Sequence, residues 1–232
     1  MPRALIRIIV VAAVVGLLVG LLTRVPLAWV LGDSLSGLDA NARAVGTVWR
    51  GAVVGIDGLP PIQTRLRGTE VELTADGPTL TLRARAGRSS LRDVALSSPI
   101  AALARFDPRL AGLDGEAAIT LQRVEFAQGR CTAATGTAAT DVLASNAARW
   151  SWQGPALSGP VTCEEGELVL SLEGEDASQA ATARLRIDPA GPYRTEVGIS
   201  TNEPGAGLVL PLFGFEPAGT DRWRLSESGS WQ

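Results

Sequence analysis

Histidine and lysine are absent from the 232-residue sequence, which also holds only one tyrosine, one methionine and two cysteines. Histidine is the commonest general base and lysine forms Schiff bases, so these two routes to catalysis are closed. The phosphate-binding loop of many nucleotide-binding proteins requires a lysine. Two cysteines without a histidine cannot supply four ligands to zinc. We therefore expect no enzymatic activity, no cofactor and no metal ion.

Carboxylates are plentiful, but their pattern does not favour acid–base chemistry. The adjacent pair Glu164-Glu165 precedes Gly166, which is typical of a solvated turn rather than of a catalytic pair. All 24 acidic side chains lie at or after Asp33, where they face 18 arginines. The net charge of this part is therefore about −6, which disfavours nucleic acid as a partner.

One long apolar run, residues 8–22, is present near the start of the chain. Extended to residues 8–31, it reaches the roughly 20 residues that a helix needs to cross about 30 Å of hydrocarbon. Arg7 and Arg24 then fall near the two interfaces, and Trp29 is placed like an interfacial aromatic residue. The sequence thus predicts a single transmembrane anchor and its interface over 8–31.

A cleaved signal peptide is the competing interpretation of the same run. Bulky residues occupy positions 23–30, where a signal peptidase requires small ones, so an uncleaved anchor is favoured. Arg3 and Arg7 precede the span, which makes residues 1–7 a cytoplasmic tail by the positive-inside rule. We expect residues 33–232 to lie on the far side of the membrane.

Beyond the anchor, apolar and polar residues alternate with the period of a β-strand. We expect a mainly β domain that consists of an antiparallel sheet, with one face buried and one face exposed to solvent, and one to three short helices. The helix candidates are 98–106, with Ser98 as N-cap, 141–147, and 205–213, where Pro211 breaks the pattern. The strand candidates are 69–75, 79–86, 117–126, 167–173, 181–188 and 193–201.

The most distinctive motif is Gly-Thr-Val-Trp-Arg-Gly at positions 46–51. On a strand, Thr47 and Trp49 would point to one face and Val48 and Arg50 to the other. A tryptophan between Gly46 and Gly51 is most often a plug in the core. The alternative is an exposed recognition edge, in which Trp49 and Arg50 are the interface anchors.

A weaker echo of the motif occurs later, where 152–159 resembles 49–55: each segment begins Trp-x-Gly and closes on glycine. The echo suggests two related β-units that divide near residues 107–114.

Cys131 and Cys163 are predicted to form a disulfide. Both lie on the far side of the membrane by the topology argument, and that compartment oxidises thiols. Two buried, unpaired thiols are the alternative.

The basic start with its anchor, the Gly46-Thr47-x-Trp49-x-Gly51 motif and the β-rich remainder together resemble type II secretion system protein N. Further similar stretches are 131–137, 152–163, 191–193 and 214–215. One departure is the segment 59–64, which lacks the tryptophan that many members carry soon after the motif. A contact that relatives make there is therefore not carried over.

The resemblance implies a non-catalytic, accessory inner-membrane component of the type II secretion machinery. Its implied partners are other inner-membrane secretion subunits, the outer-membrane secretin, and membrane lipid through the N-terminal helix. The alternative is an anchored periplasmic sheet that handles envelope lipids. An apolar trough lined by several strands would favour lipid handling, and a closed core with polar outer surfaces would favour docking.

Overall fold

The computed structural model describes residues 26–28, 41–105 and 107–230 of the chain. They form one 14-stranded antiparallel sheet in which each strand up to β12 pairs with the next, followed by β14 and then β13. The strands are β1 (Arg43–Thr47), β2 (Arg50–Val54), β3 (Ile62–Arg67), β4 (Glu70–Asp76), β5 (Thr81–Ala86), β6 (Ser90–Pro99), β7 (Glu116–Ala127), β8 (Arg130–Thr140), β9 (Leu157–Glu164), β10 (Glu167–Glu175), β11 (Gln179–Ile187), β12 (Pro192–Thr201), β13 (Glu216–Pro217) and β14 (Arg222–Ser230).

One face of this sheet is apolar because the register places the hydrophobic residues of neighbouring strands opposite one another. Leu96 of β6 faces Ile119 of β7, which faces Ala138 of β8. The same alignment continues in the second half, for example between Leu170 and Leu185. The opposite face carries mainly polar side chains, so the two-residue period of the strands separates core from solvent.

The centre of the apolar face is closed to solvent. Val124 is 0% exposed and Val161 is 1% exposed, and both belong to a buried cluster that extends from β5 to β10. Residues at the margins of the cluster, such as Leu73 and Ile187, are half-buried. The strands are thus held together by a continuous hydrophobic layer as well as by their backbone ladders.

The two ends of the sheet differ in their connections. Tight turns join β1 to β2, β3 to β4, β5 to β6, β7 to β8, β9 to β10 and β11 to β12, all at the hairpin end. The three longest connections, residues 100–115, 141–156 and 202–215, lie at the opposite end and form a cap. The cap contains α-helices Val142–Ser145, Ala147–Trp150 and Pro204–Val209, and 3₁₀-helices Ile100–Arg105, Pro108–Leu110 and Leu210–Phe213.

A second buried cluster lies where the cap covers the last strands. Trp152 is 3% exposed, and its Nε1 donates a 2.8 Å hydrogen bond to Oε1 of Gln179. Ala206 and Leu210 from the last α-helix and 3₁₀-helix are buried in the same cluster. Asn146 joins two cap segments, since its Oδ1 accepts from the backbone N–H of Asp114 at 3.0 Å.

Arg109 ties the cap to the last strand. Its Nε donates to Oδ1 of Asp107 at 2.9 Å, its Nη1 donates to the carbonyl of Phe213 at 2.8 Å, and its Nη2 also pairs with Glu227 of β14. The hydrogen bond from Arg109 holds the pKa of Asp107 below its usual value. The pKa of Arg109 is raised chiefly by its hydrogen bond to Asp107 and further by that to Glu227, so Arg109 and Asp107 are both charged at neutral pH. We call the ion-pair network of Asp107, Arg109 and Glu227 the Arg109 clasp.

All six predicted strands are confirmed, as β4, β5, β7, β10, β11 and β12, and short helices occur at all three predicted places. The helix expected over 98–106 is corrected in two respects, because it is a 3₁₀-helix and begins at Ile100. Ser98 is not its N-cap: it belongs to β6, and its hydroxyl donates to the carbonyl of Thr79 at 2.9 Å.

The segment 107–114 does not interrupt the sheet, since β6 pairs directly with β7 across it. The predicted cytoplasmic tail, 1–7, and nearly all of the predicted anchor, 8–31, lie outside the described residues. In the part that is described, no helix combines the length and apolar character needed to cross a membrane.

Candidate interaction surfaces

The motif at 46–51 forms the β1–β2 hairpin, which we call the motif hairpin. Thr47 pairs with Arg50, so Val48 and Trp49 form the turn and are not strand residues as expected. Trp49 is 43% exposed. The core-plug interpretation of Trp49 is therefore wrong, because the residue lies in a two-residue turn and is too exposed to fill the core.

Gly46 and Thr47 shape this turn. Gly46 has a φ of +84°, and a Cβ at this position would lie 2.7 Å from the carbonyl oxygen of Arg50. Glycine is therefore needed both for the left-handed conformation and for the close approach of the strands. Oγ1 of Thr47 accepts from the backbone N–H of Arg50 at 3.3 Å and supports the same turn.

Gly51 packs against the segment that follows the apolar run. A Cβ on Gly51 would lie 2.7 Å from Cδ2 of Leu27, which is 6% exposed. Pro26 forms a β-bridge with Thr47 beside it. The motif hairpin is thus fastened to residues 26–27 by one apolar contact and one backbone contact.

Arginines cross the polar face next to the motif hairpin. Arg50 of β2 lies directly opposite Arg65 of β3. Both side chains are exposed, and within the described residues neither forms an ion pair. Like charges directly opposite each other on a sheet are destabilising, and Glu72 of β4, which lies opposite Arg65 on its other side, offsets only part of the positive charge. By contrast, Arg67 of β3 pairs with Glu72 at 2.9 Å.

The predicted disulfide is confirmed. Cys131 in β8 and Cys163 in β9 are bonded, with 5.5 Å between their Cα atoms. Cys131 is buried and both sulfurs belong to the apolar cluster. The bond therefore joins neighbouring strands near the hairpin end and closes a sequence separation of 32 residues.

The last strand presents an open edge. β14 pairs with β12 along its length, whereas on its other side β13 covers only Trp223 and Arg224. Within the described residues, no strand lies on that side of residues 225–229. Beside this edge the polar face forms a cavity of about 620 Å³ lined by residues that include Arg184, Glu196, Arg222 and Arg224. Gly198 deepens it by lacking a side chain.

The two Trp-x-Gly segments that suggested a repeat occupy different environments. Trp49 lies in an exposed hairpin turn, whereas Trp152 is buried beneath the cap.

Glu164 and Glu165, the carboxylate pair considered for acid–base chemistry, form ion pairs with Arg184 and Arg186. No cluster of three or more potential metal ligands occurs among the described residues.

Sequence reasoning missed Leu27, Arg65 and Arg109 as parts of these surfaces. Arg65 could have been found by aligning β2 with β3, since the hairpin register brings it opposite Arg50. The contact of Leu27 with Gly51 and that of Arg109 with Glu227 join distant parts of the chain, and no local pattern indicates them.

The fold and these surfaces define a disulfide-bonded protein built on one long antiparallel meander, with an arginine-rich hairpin region and an open last edge. The family model for the type II secretion system (T2SS), protein N, matches residues 40–226, and the chain belongs to this family. It is thus related to an accessory component of type II secretion. No curated protein and no solved structure matches the chain.

Proposed function

We propose that this protein is a non-catalytic accessory subunit of the type II secretion system. Residues 8–31 form its inner-membrane anchor and the interface that follows, residues 1–7 are cytoplasmic, and residues 33–232 lie in the periplasm. There the sheet docks onto other secretion subunits, either inner-membrane subunits with periplasmic domains or the secretin. Family membership supports the pathway, and the surfaces of the sheet support docking as the mode of action.

The observation that carries the docking proposal is the edge of β14. Unpaired backbone groups along a strand can accept a strand from another chain, and natural proteins usually shield such edges. Here β13 shields only two residues of β14, and no strand covers residues 225–229 in the described part of the chain. Ser226 and Ser228 are exposed and small on this segment, so a partner strand could approach without displacing bulky side chains.

Lipid handling, the alternative, would need an apolar trough that an acyl chain can enter. The floor of the apolar face is closed, as the 0% exposure of Val124 and 1% exposure of Val161 show. The cavity beside β14 is lined in part by charged residues, among them Arg184, Glu196, Arg222 and Arg224. These features favour a protein partner over an acyl chain.

Secretion assays with matched variants test this proposal. In a strain that lacks the gene, we expect the wild-type chain to restore export of a type II cargo. A Ser226→Lys/Ser228→Lys variant should leave the cargo in the periplasm, because lysines on an edge strand oppose strand addition. The control is Thr135→Lys/Thr137→Lys, which adds the same charges to exposed positions of the interior strand β8. Equal secretion by the two variants would contradict docking at β14.

A further inference from the structure

We propose that the motif hairpin lies on the membrane surface, with Trp49 in the interfacial layer and Arg50 and Arg65 on anionic phospholipid headgroups. This inference rests on the anchor of the proposed function. It assigns a role to the most distinctive motif of the chain, which docking at β14 does not explain.

Only a short stretch of chain separates the apolar run from the residues that contact the motif hairpin. The apolar run ends at Leu22, only four residues before Pro26. Even a fully extended chain spans at most about 14 Å over four residues. Pro26 is bridged to Thr47, and Leu27 is packed against Gly51. The motif hairpin is therefore held close to the point where the anchor leaves the hydrocarbon.

The turn of the motif hairpin carries a side chain suited to a membrane interface. Trp49 is 43% exposed, although it is the largest side chain of the motif hairpin. Indole combines an apolar ring with one N–H donor, and tryptophan is enriched where hydrocarbon meets water. A turn that projects Trp49 from the hairpin end, next to the end of the anchor, presents this side chain in the layer that suits it.

Positive charge is concentrated beside the motif hairpin. Arg50 and Arg65 lie opposite each other and form no ion pair among the described residues, although Glu72 of β4 lies opposite Arg65 and pairs with Arg67. Three arginines therefore share one carboxylate here. Residues from Asp33 onward carry 24 acidic side chains against 18 arginines, so this positive pair stands out from an acidic domain. Anionic headgroups would balance the two guanidinium groups and repel the rest of the surface. The pair would thereby orient the sheet with its β1–β2 corner toward the bilayer.

Depth-dependent fluorescence quenching tests the inference on the full-length chain in nanodiscs that contain anionic phospholipid. Phospholipids brominated close to the headgroup quench only indoles that lie near them. The emission of Trp49 is the difference between wild type and Trp49→Phe. We expect brominated lipid to reduce this difference about twofold or more, since indole would lie at the depth of the quencher.

Two controls separate this effect from others. The emission difference between wild type and Trp223→Phe should not respond to bromine, because Trp223 lies in β14, at the opposite edge of the sheet from β1. The Arg50→Gln/Arg65→Gln variant should lose the quenching of Trp49. Arg92→Gln/Arg123→Gln should retain it, because this pair is also directly opposed but lies on β6 and β7.

The outcomes distinguish the inference from the anchor on which it depends. Equal quenching of wild type and Trp49→Phe would show that Trp29 and the anchor are in the bilayer while the motif hairpin is not, which overturns the inference alone. No quenching of either would overturn the anchor as well. Quenching that is unchanged by the arginine substitutions would refute the headgroup contact. If Trp49 escapes quenching by brominated lipid only when another secretion subunit is added, the motif hairpin binds a protein partner instead of lipid.

Discussion

The side chain of Leu27 occupies the space directly over Gly51. A Cβ on Gly51 would lie 2.7 Å from Cδ2 of Leu27 and 2.7 Å from the carbonyl oxygen of Val45. The glycine that closes the motif is thus a packing requirement imposed by a residue 24 positions earlier in the chain. This contact joins the segment after the apolar run to the first hairpin of the sheet.

Gly51→Ala should therefore destabilise the protein. Overpacking of this kind typically costs about 1–3 kcal/mol, and thermal unfolding should show a lower midpoint. Gly207→Ala is the control, since a Cβ there would meet Trp223 at 3.6 Å, an ordinary contact, within an α-helix. Alanine is also preferred over glycine inside a helix. Equal midpoints for Gly51→Ala and wild type would contradict the Leu27 contact.

Trp49 and Trp152 should respond very differently to truncation. Trp152→Ala removes a buried ring and its hydrogen bond to Gln179, and should cost about 3–5 kcal/mol. Trp49→Ala removes an exposed ring from a turn and should cost less than about 1 kcal/mol. Denaturant unfolding of both variants measures the comparison. A larger loss for Trp49→Ala would restore the core-plug interpretation.

Loss of the disulfide should weaken the whole sheet. Closing 32 residues removes chain entropy from the unfolded state worth roughly 3.5–4 kcal/mol in the simple loop model. Cys131→Ser/Cys163→Ser should therefore unfold at a lower denaturant concentration than the oxidised protein. Mass measurement after alkylation provides the check on the bond itself. Uptake of two alkyl groups by unfolded protein without reductant would show that the cysteines are free.

The Arg109 clasp predicts a pH dependence of stability. The pKa of Asp107 is lowered from its ordinary value of 3.8 in the folded protein. The Arg109 clasp therefore contributes fully to the free energy of unfolding at a pH above this ordinary value. Its contribution is lost as the pH falls through the lower pKa that Asp107 has in the folded protein. Because the groups are partly exposed, we expect less than about 1 kcal/mol.

Asp107→Asn measures that contribution. The difference in unfolding free energy between wild type and this variant should be constant near neutral pH and should shrink in the acid range below 3.8. Arg109→Gln should flatten the same part of the profile, since it removes the hydrogen bond that lowers the pKa. A difference that grows on acidification would contradict the assigned sign.

The strands with clear two-residue alternation could be predicted from sequence, and the others were missed for identifiable reasons. In β6, Asp93 has a φ of +49° at a register shift, so Leu91 and Val94 share a face at a spacing of three. In β8, alanine and threonine occur on both faces, and side-chain size does not separate inside from outside.

The candidate surfaces, like the strands, could be predicted from the sequence only in part. The disulfide was accessible from compartment and cysteine count, whereas the exposure of Trp49 depends on a turn whose two central residues, Val48 and Trp49, lack turn-forming character. The side chain of Arg109 pairs with Glu227 only because the cap folds back over the sheet. Such contacts arise from topology and leave no mark on neighbouring residues in the sequence.

Site-specific photo-crosslinking in cells tests whether the sheet docks onto other secretion subunits through β14. A photoreactive residue at Ser228 should give an adduct that contains an inner-membrane secretion subunit or the secretin, identified by mass spectrometry. The same residue at Thr135, on the polar face of β8, should not give this adduct. An adduct of equal yield at both positions, or none with a secretion subunit at Ser228, would contradict docking through β14.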